Sequence, residues 1–269
     1  MPRLSRLDTE LVRRGHARSR AAAAELISEQ RVRVNGVLAT KAATFVRVDQ
    51  AVVVGAHGGH EVQYVSRGAH KLLGALTEFD VSVSGRHCLD AGASTGGFTE
   101  VLLRSGAAYV VAVDVGYGQL AWPLRNDPRV RVLERCNVRE LVAQQVGTSP
   151  ELVVADLSFI SLRLVLPALQ GCASAQADYV LLVKPQFEVG KEQVGAKGVV
   201  RDPELRAAAV RSVAEHAQEL GLGVRGIVAS PLPGPSGNVE YFVWFAALSH
   251  GAEPLCSQEL RRAVATGPQ

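Results

Sequence analysis

From residue 86 onward, short apolar runs recur with helix-length segments between them. Each run ends on a carboxylate, a glycine or a lysine: RHCLDAG (86–92), AYVVAVDVG (108–116), ELVVADLS (151–158) and DYVLLVKP (178–185). Runs of that length, rich in Val and Leu, are strands buried on both faces. Spacers long enough for a crossover helix make them parallel. The rhythm confines this part of the chain to an α/β, doubly wound sheet with helices on both sides. GVRGIVAS (223–230) and EYFVWFAAL (240–248) add two late strands.

The 269 residues are 47% hydrophobic and 20% charged, so the chain can bury a sizeable core, and its length suits one full-sized domain with a small one. The opening MPRLSRLDTELVRRG scatters charge where an export signal needs an apolar core. No uncharged apolar run approaches the roughly 18 residues of a membrane span. A cytoplasmic protein without membrane contact is expected. Cys88, Cys136, Cys172 and Cys256 lie far apart without any CxxC spacing, which argues against a disulfide framework or a zinc site, and no metal is expected.

Residues 1–60 hold 10 Lys and Arg against 5 Asp and Glu, whereas the remainder holds 19 against 21, so the net charge of +3 is made at the front. That split suggests a small module for a polyanion attached to a nearly neutral body. DTELVRRG (8–15) predicts a short helix with Asp8 as N-cap and Gly15 as stop, and SRAAAAELISEQ (19–30) a second with Ser19 as N-cap. RVRVNGVLATK (31–41) predicts a hairpin at Asn35-Gly36, with Arg31 and Arg33 on one face and Val32 and Val34 on the other. This order, carrying Arg6, Arg18, Arg20, Arg31, Arg33 and Lys41, resembles the S4-type RNA-binding domain over residues 4–55. The resemblance implies that these six side chains meet RNA.

The first strand of the larger part opens onto LDAGASTGGFTEVLL (89–103). A dinucleotide site wants G-x-G-x-x-G, but the spacing here is Gly92-x-Ser94-x-Gly96-Gly97 and the strand closes on Asp90. An acidic residue before G-x-x-x-G at the end of a first strand is the usual S-adenosylmethionine form; NAD, or no cofactor, stays open on this motif alone. Gly92 and Gly96 would let the backbone approach the cofactor where a side chain would collide. Gly97 and Phe98 continue the same turn into the next helix. Asp114 ends the following strand and is placed to accept from both ribose hydroxyls.

Four further residues stand out: Lys71 in SRGAHK, Asp156, Lys184, and Glu240 in SGNVEYF. Asp156 and Lys184 close parallel strands, the end at which doubly wound folds put their sites. Lys184 leaves an apolar strand directly before Pro185, so its amine is expected to be partly desolvated and is a candidate base.

The blocks VSRGAHKL, CLDAGASTGGFTEVLL, VVAVDVGYGQLAW, VVADLSFISL, LVKPQFEVG and PLPGPSGNVEYF, in that order over nearly the whole chain, resemble the TlyA family of haemolysin-labelled ribosomal RNA 2′-O-methyltransferases. The resemblance implies a seven-stranded class I, Rossmann-like methyltransferase fold whose last strand enters antiparallel, behind an S4-type domain. It implies S-adenosylmethionine as cofactor, with Asp90, Gly92, Ser94, Gly96, Gly97, Phe98, Asp114 and Asp156 around it. It also implies a Lys-Asp-Lys-Glu tetrad at Lys71, Asp156, Lys184 and Glu240, acting on the 2′-hydroxyl of cytidine in 16S and 23S ribosomal RNA, free or in subunits. Lys184 would activate the hydroxyl, Asp156 and Glu240 would set that lysine's charge and position, and Lys71 would hold the ribose or an adjacent phosphate. Expected boundaries are 1–60 for the RNA-binding domain, 61–66 for a linker and 67–269 for the methyltransferase domain. Within AHGGHEVQYVS (56–66) the glycines suggest flexibility and Tyr64 a packing contact, and His70 is expected to be structural. A membrane-active haemolysin, or an RNA-binding protein with an inactive methyltransferase fold, are the alternatives.

Overall fold

The computed structural model describes residues 4–28, 31–47, 50–55, 64–195 and 198–267. The chain divides into two units, Met1–Gln63 and Tyr64–Gln269. The glycines expected to make a flexible joint, Gly58 and Gly59, lie outside the described residues. Tyr64, Val65 and Ser66, expected in the linker, belong to the second unit: the Val65 N–H donates to Glu100 at 2.7 Å, and the Tyr64 ring packs edge-on to His70 and under Arg104.

The first unit runs β1 (Leu4–Arg6), α1 (Leu7–Arg13), α2 (Arg20–Ser28), β2 (Val32–Val34), β3 (Val37–Leu38), β4 (Phe45–Arg47) and β5 (Val52–Val54). β1 pairs antiparallel with β4, and β2 lies between β3 and β5. Gly15 ends α1 as expected: at φ +78° it donates to Val12 O while His16 donates to Leu11 O, the double bond of a Schellman stop. Ser19 caps α2 by accepting from the Ala22 N–H. Asp8 does not cap α1. It is the second residue of the helix, two positions past the N-cap Arg6, where Arg6, Arg20 and the Thr9 N–H take its carboxylate. Asn35 and Gly36 both hold positive φ, the geometry of the tight β2–β3 turn. Leu7, Leu11, Ala23, Ile27, Val32 and Val46 form the core of this unit.

The second unit runs α3 (Gly68–Phe79), β6 (His87–Ala91), α4 (Gly97–Arg104), β7 (Tyr109–Val113), α5 (Trp122–Arg125), β8 (Val130–Leu133), α6 (Ala143–Val146), β9 (Leu152–Ala155), α7 (Leu166–Cys172), β10 (Asp178–Val183), α8 (Pro185–Glu188), α9 (Pro203–Glu219), β11 (Leu222–Ala229), β12 (Tyr241–Ala247) and α10 (Ser257–Thr266). The seven strands lie in the order β11-β12-β10-β9-β6-β7-β8, and β12 is antiparallel to both its neighbours. Side chains alternate across the sheet: Leu89, Val111, Val153 and Leu181 pack against α7, α9 and α10, whereas Cys88, Val110, Leu152 and Val180 pack against α3 and α4. After β6 the chain steps outward to β7 and β8, then returns to place β9 on the other side of β6. That reversal opens a crevice at the carboxyl ends of β6 and β9. No helix among the described residues is long and apolar enough to cross a membrane.

Candidate active site

Ala91 and Ala155 are paired at the ends of β6 and β9, so the residues that follow, Gly92 and Asp156, meet across the crevice. A Cβ at Gly92 would stand 2.7 Å from the Asp156 carbonyl oxygen, and φ there is +88°. Gly96, at φ +100°, carries Leu120 and Leu124 against its open side, and Gly97 carries Ser66 Oγ and the Ala69 amide nitrogen. The protein's own close packing thus calls for glycine at these positions, beside any approach of a cofactor to the turn.

Asp90 is fully buried on the α4 side of β6, where Oδ2 accepts from Thr99 Oγ1 at 2.6 Å and Oδ1 has no hydrogen-bond partner among the described residues. Burial, aided by the nearby Asp156 and Asp114 carboxylates and opposed by the Thr99 hydrogen bond, pushes the Asp90 carboxyl up to about 7. It lines neither hollow of the site, so direct contact with a ligand, expected from the motif, is not what its position offers. It pins the first turn of α4 beneath the glycine turn.

Asp114 is held with its carboxylate facing the crevice: the N–H groups of Ser94 and Gly116 donate to its two oxygens, each at 2.7 Å. Together with Ala93, Ser94, Gln119 and Leu120 it lines a narrow hollow. Ala93 and Ser94 also line a neighbouring cavity of about 320 Å³, shared with Phe98, Lys71, Asp156 and Lys184. The two hollows adjoin at Ala93 and Ser94, with Asp114 in one and Lys71, Asp156 and Lys184 in the other.

Four separate elements deliver the tetrad: α3, the ends of β9 and β10, and the residue before β12. Lys184 Nζ lies 2.6 Å from Asp156 Oδ1 and donates to Ser158 Oγ at 2.9 Å. Lys71 Nζ donates to Glu240 Oε2 at 2.6 Å, with both side chains buried. The four make two ion pairs, and this corrects the sequence reading twice. Glu240 pairs with Lys71 and not with Lys184, and Lys71, expected to hold the ribose or an adjacent phosphate, has its ammonium bound to Glu240 inside the protein. Such a buried pair is costly to break, because either charge left alone would be stranded.

Three residues escaped the sequence reading. Ser158 holds Lys184; Phe159, at φ 65° and 91% exposed, sets its ring 5.1 Å from Phe187; Arg67 lines the cavity. Ser158 and Phe159 follow Asp156 within DLSF, and Phe187 follows Lys184 by three residues, so nearness in sequence to the tetrad was the available signal. In the first unit Arg6 and Arg20 share Asp8, Arg31 donates to Gly55 O and Arg33 to Gly36 O, while Arg18 and Lys41 are exposed.

A Rossmann-like sheet with an antiparallel strand next to its edge, a glycine turn at the switch point and an S4-type unit in front define a class I methyltransferase carrying an RNA-binding domain. Residues 64–247 match the FtsJ-like methyltransferase family and residues 5–52 the S4 domain. Over the full length of both chains the sequence is 61% identical to the 16S/23S rRNA (cytidine-2'-O)-methyltransferase TlyA of Mycobacterium tuberculosis. It is 37% identical to Hemolysin A of Brachyspira hyodysenteriae, over 89% of this chain and 99% of that one. The solved structure of a hemolysin-named protein of Streptococcus thermophilus, 35% identical, superposes with a TM-score of 0.75 over 98% of this chain and 95% of that one. The chain belongs to the TlyA family of FtsJ-like methyltransferases.

Proposed function

We propose that the protein transfers the methyl group of S-adenosylmethionine to the ribose 2′-hydroxyl of cytidine in 16S and 23S ribosomal RNA. The observation that carries this reading is Lys184, fixed by Asp156 and Ser158 in a cavity that adjoins, at Ala93 and Ser94, the hollow lined by Asp114. The donor set suits the cofactor: Asp114 is anchored by two backbone N–H groups, and its half-exposed carboxylate still has lone pairs for a ribose diol. Bound there, S-adenosylmethionine supplies an electrophilic methyl group on a sulfonium sulfur.

A ribose hydroxyl is a very weak acid, so its proton must be drawn off as the new O–C bond forms. Lys184, held in line by Asp156 and Ser158, orients the hydroxyl; its ammonium must first release a proton to solvent, and the free amine then takes the hydroxyl proton as the new O–C bond forms. Lys71 and Glu240 tie α3 to the entrance of β12 and so fix the cavity wall. Phe159 offers an exposed aromatic face at the same end of the sheet, suited to stack on a base drawn out of its helix. A ribosomal substrate would put the work in the cytoplasm, with small and large subunits or their RNA as partners. Mapping ribose methylation in 16S and 23S RNA from cells with and without the protein tests the reading. Cytidine sites that vanish with the protein support it, and identical maps overturn it.

A further inference from the structure

The 2′-hydroxyl of a nucleotide neighbours the phosphodiester on its own 3′-oxygen, so any site that grips the hydroxyl must also receive a negative charge. Within the cavity, Lys71 is neutralised by Glu240 and Lys184 by Asp156. Arg67, which lines the same cavity, is exposed, and its guanidinium makes no hydrogen bond or ion pair among the described residues. It is the N-cap residue of α3, one helical turn before Lys71, so the two side chains rise on one face roughly 5–6 Å apart at Cβ. The backbone around it is fixed: Ala69 donates to Ser66 O, His70 donates to Arg67 O, and Ser66 Oγ sits against Gly97. The cavity thus carries one uncompensated positive charge, on a residue whose position is set while its planar, five-donor head is open to solvent.

We infer that Arg67 grips the phosphodiester on the 3′ side of the target ribose and so presents the 2′-hydroxyl to Lys184. The phosphate contact that the family resemblance offered Lys71, as an alternative to the ribose, falls one turn earlier, to the cation with no ion pair among the described residues. Bidentate pairing with a phosphate is what a guanidinium does well. The inference rests on the proposed ribose methylation.

Full-length wild type, Arg67→Gln and Arg67→Lys are compared on purified 30S and 50S subunits over a range of salt, and on S-adenosylhomocysteine by calorimetry. Arg67→Gln is expected to raise the KM for subunits roughly tenfold or more. It should also flatten the salt dependence of subunit binding by a slope of roughly 0.7–0.9, the mark of one lost phosphate contact. Arg67→Lys keeps the slope, because the charge remains, and S-adenosylhomocysteine affinity is unchanged in both. An unchanged slope and KM in Arg67→Gln overturn the inference. So does a loss confined to S-adenosylhomocysteine, which would assign the guanidinium to the cofactor's carboxylate. Binding slopes need no turnover, so a wild type that binds subunits but methylates no ribose would sink the functional reading while leaving this comparison readable.

Discussion

At the scale of single residues, the sequence named the chemistry but not the partnerships. Asp156 and Lys184 were legible because each closes an apolar parallel strand, and Lys71 and Glu240 from the blocks SRGAHK and SGNVEYF. Which lysine takes which carboxylate was not, since pairing depends on where α3 meets the entrance of β12, some 170 residues apart in sequence. Asp8 failed as a predicted cap for a similar reason, as Arg20 reaches it from the next helix. The proposed role of Lys184 makes a sharp expectation. Arginine keeps the positive charge but cannot give up its proton at any working pH. Lys184→Arg and Lys184→Ala should therefore both lose methyl transfer by at least ~10²-fold while S-adenosylhomocysteine and subunits still bind. Single-turnover methylation with saturating enzyme isolates that step. Near-normal rates in the arginine variant would leave Lys184 as an electrostatic contact only.

At the scale of elements, the strands read from the sequence were those buried on both faces, where the apolar run is uninterrupted. β8 was not picked out as a strand: it is the edge strand, half-buried along its length, and Arg131 breaks its apolar run. The packing of α3 was equally invisible, although it carries Lys71. Gly74, one turn beyond Lys71, lies against Pro231, in the loop that leads to Glu240; a Cβ there would stand 2.9 Å from Pro231 Cγ. The missing side chain lets α3 and that loop approach closely enough for the Lys71–Glu240 bond. Alanine in mid-helix favours the helix by roughly 0.8–1 kcal/mol over glycine, so apart from that contact Gly74→Ala should fold at least as readily. The added methyl must nevertheless push Pro231 away. Methyl transfer is expected to fall several-fold with S-adenosylhomocysteine affinity intact, and Gly74→Ala with Pro231→Ala should recover, because the second change removes Cγ and Cδ. No recovery in the double variant would mean that the contact does not set the pair.

At the scale of the whole molecule, charge separates the two units in kind as well as in sign. Two buried acidic groups of the first are stabilised by arginines: Glu10 is pulled down to about 2 by Arg13 and Arg14 against its burial, and Asp8 is held well below the carboxylate range by Arg6 and Arg20. Arg6 and Arg20 therefore serve the fold as well as any RNA, whereas Arg18 and Lys41 are exposed. Arg18→Ala and Lys41→Ala should weaken subunit binding and flatten its salt slope without moving the stability of the unit, while Arg6→Ala should lower both. A melting shift in Arg18→Ala as large as in Arg6→Ala would contradict this division.

The same contrast fixes how each unit responds to pH. A carboxylate whose folded pKa lies below its unfolded value adds stability above the unfolded pKa, which is lost as pH falls through the folded one. Glu10 and Asp8 thus make the first unit acid-labile below about pH 4.5. Asp90 works in the opposite sense. Its folded value of about 7 exceeds the ordinary 3.8, so between those limits the native state binds the extra proton, and stability falls as pH rises. Glu188, also raised by burial, adds to that slope. Trp122 and Trp244 both belong to the second unit and the chain has two tryptophans, so tryptophan fluorescence reports that unit alone. Its melting temperature is expected to decline from pH 4 to pH 7 and level off above. The amide introduced by Asp90→Asn cannot ionise, yet its oxygen still accepts from Thr99. The variant should match wild type near pH 4 and exceed it at pH 8, leaving only the shallower slope due to Glu188. Equal pH slopes in the two proteins would show that Asp90 is not the group whose ionisation strains the sheet beneath the glycine turn.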